Sequence, residues 1–226
     1  MLRYRVSELI GREDFLLIGE GCAQIMEQQS REMGVELSQA RRVLDFGCGC
    51  GRTLRWFLLN FPDVEFHGAD VDAEAIAWCR QNLLGGRFVQ ANPLPPLSYP
   101  AGYFDVIYCL SVFTHLDEPA QDLWLRELAR ILAPGGLLLF SVHGARAAEV
   151  LDENGRTALR ANGFVHQRTQ KLKGIMPDWY QTSWHTERYI VERVSGLFDD
   201  VQYRDTSGGM QAFVLGRGKT TLNGKT

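Results

Sequence analysis

The chain has no uninterrupted apolar run approaching the ~20 residues that cross a bilayer. Its opening residues, MLRYRVSELIG, lack the apolar core of a secretory signal. A cytoplasmic protein is therefore expected, with no membrane partner. An excess of charge of one sign is also missing. Against 24 Lys+Arg stand 27 Asp+Glu, a formal net charge of −3, so no global basic field exists to recruit nucleic acid. Cysteine is sparse: the five residues at 22, 48, 50, 79 and 109 form no C-x-x-C pair. Cys48 and Cys50 flank Gly49 too closely for an unstrained disulfide, and no second pair completes a zinc set. These thiols read as small side chains in a crowded turn, and no metal is expected. Internal repeats and low-complexity tracts are absent too. What is there is an ordinary globular composition, 45% hydrophobic and 23% charged, in 226 residues, enough for one well-buried core.

The most informative segment is Arg41–Arg52, RRVLDFGCGCGR. Val43–Phe46 reads as a buried strand, followed by a turn with glycines at 47, 49 and 51 and a helix from near Arg52. Glycine lacks Cβ, so the turn can take unusual backbone angles and admit close approach of another molecule. Strand, glycine turn and helix in this order open nucleotide- and nucleoside-binding α/β domains. A dinucleotide fingerprint G-x-G-x-x-G starting at Gly47 would require glycine at 52, where this chain has Arg52.

Downstream, the pattern predicts a strand over 64–69 ending at Asp70 and a helix over 73–84 stopped by Gly85-Gly86. A short strand follows over 87–90, then a proline-rich loop from Asn92-Pro93 to Pro100. Phe104–Leu110 (FDVIYCL) is a continuous apolar run, as in strands buried on both faces. An amphipathic helix over 119–132 leads through Pro134-Gly135-Gly136 into a strand over 137–142. This alternation implies a parallel sheet with helices on both faces. A helix over 19–33 precedes it. After His143 the rhythm breaks. Residues 144–183 show no clear strand, several basic residues (Arg146, Arg156, Arg160, Arg168, Lys171, Lys173) and, at their end, the aromatics Trp179, Tyr180 and Trp184. A helix over 186–195, capped by Thr186, precedes two strands, 198–204 and 210–216. The short link Ser207-Gly208-Gly209 makes them an antiparallel hairpin.

Four signposts stand in order: DFGCGCG at 45–51, GAD at 68–70, FDVIYCLSVFTHL at 104–116 and LAPGG at 132–136. Together they resemble the class I S-adenosylmethionine-dependent methyltransferases, over roughly residues 41–143 by motif and 186–217 by element order. The resemblance implies a single α/β domain: a three-layer α-β-α sandwich around a mostly parallel seven-stranded sheet whose last strand is antiparallel. It divides into an N-terminal helical segment (1–40), a cofactor-binding core (41–143), a substrate-binding insert or lid before the sixth strand (144–185), a C-terminal helix and hairpin (186–217) and a tail (218–226). S-adenosyl-L-methionine is the implied cofactor and S-adenosyl-L-homocysteine the product.

On this resemblance the cofactor lies against Gly47, Cys48, Gly49 and Gly51. Asp45 engages its amino end. Arg52 either pairs with its carboxylate or makes a salt bridge within the fold. Asp70, at a strand end, can accept both ribose hydroxyls, while Asp72 is better placed to cap the next helix. Val71 packs against adenine. Asn92, followed by Pro93, either recognises the adenine amino group or shapes the turn. Cys109 and Ser111 lie beside the cofactor at the carboxyl end of the fourth strand, and His115 touches the ligands or caps local backbone.

The implied reaction is in-line displacement at the sulfonium methyl. Alignment supplies up to ~7–11 kcal/mol in favourable cases, and an oxygen nucleophile also needs a base. His143 and His185 are the candidate catalytic bases. The acceptor is expected to be a small molecule, methylated on oxygen or nitrogen, because the N/D-P-P-Y/F run of DNA adenine methylation is absent after the fourth strand. RNA or protein methylation, a non-catalytic cofactor-binding role and a nicotinamide oxidoreductase are the alternatives. Oligomeric state is not written in the sequence.

Overall fold

The computed structural model describes residues 11–167, 181–206 and 209–220. Its first helix, α1 (Arg12–Glu32), buries Phe15, Gly19, Ala23, Met26 and Ser30, spaced three and four residues apart as one helical face requires. β1 (Arg42–Phe46) leads into α2 (Leu54–Asn60), β2 (Glu65–Asp70), α3 (Ala73–Asn82) and β3 (Arg87–Gln90). β4 (Phe104–Cys109), α4 (Glu118–Ile131) and β5 (Leu132–His143) complete the alternating part.

The main sheet has seven strands. β1, β2, β3, β4 and β5 are parallel, in the order β3-β2-β1-β4-β5, as the alternation requires. After α6 (Glu187–Ser195), β8 (Phe198–Asp205) and β9 (Gln211–Gly218) extend the sheet. β9 inserts between β5 and β8 and runs antiparallel to both. The expected architecture, a mostly parallel sheet with the last strand antiparallel, is the one observed. Successive strand residues point to opposite faces. Val43, Val106, Leu137 and Leu139 therefore pack with α1, α2 and α3, whereas Leu44, Ile107, Leu138 and Phe140 pack with α4 and α6.

The structure corrects two expectations. α1 begins at Arg12 rather than Gly19, because Gly19 is an interior residue pressed against Arg52: a Cβ there would lie 2.4 Å from the Arg52 carbonyl oxygen. The segment after β5 is not strandless. A 3₁₀ turn (Ala145–Val150) and α5 (Glu153–Asn162) lead to β6 (Phe164–Gln167), which pairs antiparallel with β7 (Thr182–His185). Each strand has four residues and pairs only with the other, too short for a readable alternation. Trp184 of this unit packs with Ala147, Leu151, Leu159 and Val165 in a core of its own. The other expected aromatics, Trp179 and Tyr180, and the basic residues Arg168, Lys171 and Lys173 lie outside the described residues, as do Ser207 and Gly208. Among the described residues no helix is long and apolar enough to cross a membrane.

Candidate active site

The carboxyl ends of β1, β2, β4 and β5 meet along one edge of the sheet, where ligands of open α/β sheets bind. After β1, Gly47, Gly49 and Gly51 take φ values of 82°, 52° and 67°, the left-handed region that excludes most side chains. Packing also demands glycine at two of them. A Cβ on Gly47 would lie 2.1 Å from Val112 Cγ2, and one on Gly51 would lie 2.3 Å from Leu83 Cδ1. The Gly49 amide donates to Asp70 Oδ2 at 2.7 Å, and the Asp72 amide donates to Asp70 Oδ1 at 2.8 Å. Each carboxylate oxygen has further lone-pair capacity for a ligand hydroxyl. Burial pushes the Asp70 carboxyl up, and these amides hold it down. Asp72, as expected, is the helix cap, with Oδ1 accepting from the Glu74 and Ala75 amides.

Val71, 36% exposed, stands beside Asp70. Asn92 and Pro93 are exposed just after β3, and the Pro93 carbonyl accepts from Trp124 Nε1 at 3.2 Å. The Cys48 and Cys109 thiols are buried in the hydrophobic cores, Cys48 as a small side chain in the crowded turn. Ser111, two residues beyond β4, has a left-handed φ of 58°.

Asp45 is 4% exposed beneath the turn. Burial pushes its carboxyl up to about 7; the neighbouring Asp70 adds to this, and the Tyr108 hydroxyl and Arg52 oppose it. Arg52 is half-buried under α1 at Gly19, its charge acting on Asp45 and on the Cys22 thiol of α1. The amino-terminal half of α1 thus stands over the glycine turn.

β7 binds across the stretch after β4. The Ser183 amide donates to the Thr114 carbonyl at 2.8 Å, the Ser183 hydroxyl to the Leu116 carbonyl at 2.6 Å, and the Gln181 amide to the His115 carbonyl at 3.3 Å. Imidazoles answer in the other direction. His143 Nδ1 donates to the Ser183 carbonyl at 2.8 Å, and His115 Nδ1 to the Gln181 carbonyl at 2.7 Å. The two rings lie 6.4 Å apart. Burial lowers both, His115 to about 4, so both are neutral near pH 7. With Nδ1 donating, the lone pair of His143 resides on Nε2, the arrangement of a base.

His185 departs from its expected role. It is 4% exposed, its Nε2 is 3.0 Å from Gln121 Oε1, and burial takes it down to about 3. Gln121 in turn donates to the Phe113 and Leu116 carbonyls, so His185 belongs to a buried network bracing α4 against β7, flanked by Phe164 and Tyr189. Sequence reading missed Ser183 and Gln211 altogether. Nothing local distinguishes a serine whose hydroxyl bonds a carbonyl 67 residues away. Among the described residues no cluster of three or more His, Cys, Asp or Glu side chains could hold a metal ion.

Residues 43–136 match the family model described as a methyltransferase domain. The chain is 33% identical over 105 residues to the fatty-acid O-methyltransferase of Mycolicibacterium smegmatis, covering 46% of this chain and 37% of that protein. It is 26% identical over 186 residues to the rRNA N(6)-adenosine-methyltransferase metl-5 of Caenorhabditis elegans, covering 79% of this chain and 83% of that one. The chain spans about half the length, or less, of several other curated relatives. Among solved structures, an S-adenosylmethionine-dependent methyltransferase from Mesorhizobium loti superposes with a TM-score of 0.59 at 16% identity, covering 88% of this chain and 99% of that one. That likeness is one of fold.

Proposed function

We propose that the chain is a class I S-adenosylmethionine-dependent methyltransferase, as the methyltransferase-domain match over residues 43–136 and the strand order support, and that it methylates an oxygen or nitrogen nucleophile of a small molecule. The observation that carries this reading is the pairing of Asp70 with the left-handed Gly49 at the adjoining ends of β2 and β1. The residues fit a nucleoside bearing an amino-acid tail. Asp70 retains lone pairs for ribose hydroxyls, and the exposed Val71 offers an apolar surface to a base. Asn92 offers a carbonyl to an amino group, with Pro93 fixing the turn behind it. The Asp45 carboxyl, held near neutrality by burial, gains an opposite charge from an ammonium group. Arg52 supplies a cation for the tail's carboxylate.

When bound, the cofactor supplies a methyl group made electrophilic by a positive sulfur. The chain's part is orientation and proton removal. The β4–β5 strand ends, under β7, form the acceptor side. There His143 Nε2 takes the proton from a hydroxyl nucleophile, its tautomer fixed by the Ser183 carbonyl; a carboxylate acceptor attacks already ionised. The described parts of the insert, 144–167 and 181–185, form the cover of that side, and α1 its second wall. Similarity to a fatty-acid O-methyltransferase supports an oxygen acceptor on a small molecule. A cytoplasmic location agrees with five cysteines that are all unpaired.

A second reading, RNA methylation, is favoured by the long match to an rRNA methyltransferase. Methyl-labelled cofactor, offered with dodecanoic acid, a phenol, an aliphatic amine and ribosomal RNA, decides between them. Label in a small acceptor is expected; label in RNA alone would overturn the small-molecule reading.

A further inference from the structure

β9 opens with Gln211, directly opposite His143 on β5. Opposed residues of an antiparallel pair carry their side chains on the same face, so carboxamide and imidazole are neighbours at the sheet edge. Gln211 Nε2 does not turn to solvent. It donates to the Ser111 hydroxyl at 2.5 Å, joining residues 100 apart in sequence. The Ser111 amide donates to Ser141 Oγ at 2.8 Å, and Ser141 is fully buried on β5, two residues before His143.

Ser111 needs this support. Its φ of 58° is a conformation that costs free energy for any residue with a Cβ and persists where the surroundings hold it. The turn it makes also places Val112, whose Cγ2 fills the space over Gly47 left by the missing Cβ. One side of the turn therefore faces the glycine loop of the cofactor cleft, and the other is bonded to Gln211, the residue opposite His143. Two grips fix it: Ser141 on the Ser111 amide and Gln211 on the Ser111 hydroxyl.

We propose that Gln211 is a positioning residue for methyl transfer, acting through Ser111 to hold the 110–112 turn between the cofactor cleft and the acceptor side. The assignment rests on the methyl-transfer reading above. A misplacement of about 1 Å costs on the order of a hundredfold in rate, so loosening this turn lowers turnover without removing a ligand contact.

Gln211→Leu tests it, with dodecanoic acid as acceptor probe and S-adenosylhomocysteine as cofactor probe. The expected result is a fall in kcat of about ten- to a hundredfold, with KM and the affinity for S-adenosylhomocysteine little changed. Gln211→Glu reverses this bond, its carboxylate accepting from the Ser111 hydroxyl, and should recover most of the rate. Ser111→Gly adopts the left-handed turn unaided, so Gln211→Leu should cost far less kcat in that background than in the wild type. In the ligand-free protein, amide exchange at 110–113 should be faster in Gln211→Leu than in wild type. Should Gln211→Leu fail to fold, Ser111→Ala removes the same contact and is expected to reproduce the loss of kcat. An unchanged kcat, or an equal loss with and without Ser111→Gly, would overturn the proposal. Wild-type turnover separates the two readings: its absence defeats methyl transfer itself, whereas intact turnover insensitive to residue 211 defeats only the role of Gln211.

Discussion

The Asp70 carboxylate accepts the Gly49 amide at 2.7 Å, tying the end of β2 to the glycine turn of β1. The bond brings a half-buried carboxylate and a left-handed backbone together at the sheet edge. It also gives Asp70 a structural duty besides any ligand it holds. Asp70→Asn keeps the shape and removes the charge. Hydrogen bonds to a charged group contribute about 1.5–3 kcal/mol each. The variant should therefore bind S-adenosylhomocysteine at least about tenfold more weakly by calorimetry, while still folding.

Asp45 couples pH to both stability and binding. Its carboxyl is raised from the ordinary 3.8 to about 7, so the folded protein holds that proton more tightly than the unfolded chain does. This contribution is fully present below about 3.8 and is lost as pH rises through about 7. Wild type should lose more thermal stability between pH 5 and pH 8 than Asp45→Asn does, and the variant should melt higher at pH 8. Cofactor affinity should move the opposite way. It should tighten in wild type as pH rises through about 7 and be weak at all pH in Asp45→Asn.

The two histidines singled out in the sequence separate by environment. His143→Ala should lower turnover of a hydroxyl acceptor such as a phenol, which must give up a proton, by about 10²–10⁴-fold with little change in melting. His185→Ala should instead destabilise by about 1–3 kcal/mol in denaturant titration, because Gln121 loses a buried partner. Burial draws His143 below its ordinary 6.5, so the base stays neutral at and above that pH. The rate should be flat from about pH 7 upward and fall only on the acid side.

Two glycines two residues apart, on opposite faces of α1, make opposite predictions. Gly19→Ala would place a Cβ 2.4 Å from the Arg52 carbonyl oxygen, whereas at Gly21 nothing lies within 4 Å. Gly19→Ala should destabilise by about 1–3 kcal/mol and lift α1 from the glycine turn. Gly21→Ala should stabilise by about 0.5–1 kcal/mol through helix propensity. Denaturant midpoints of the two variants measure this.

What was legible in the sequence is what local chemistry dictates. The strand–glycine turn, the acid at position 70 and the cap at Asp72 each depend on neighbours within a few residues, and they stand where the pattern put them. Helix ends marked by Gly85-Gly86 and Thr186 were legible for the same reason. Contacts across the chain were not. β6 and β7 find each other over a long connection, and a four-residue strand carries almost no periodicity. The division between His143 and His185 depends on Ser183 and Gln121, partners 40 and 64 residues distant.

The central claim is that a methyl donor is held where Gly49 meets Asp70. Calorimetric titration of S-adenosylhomocysteine into the purified chain, side by side with Asp70→Asn, tests it most directly. Saturable one-to-one binding by wild type, weakened at least about tenfold in a folded Asp70→Asn, is the predicted result. Absence of binding to the folded wild type, or equal binding by both proteins, would contradict it.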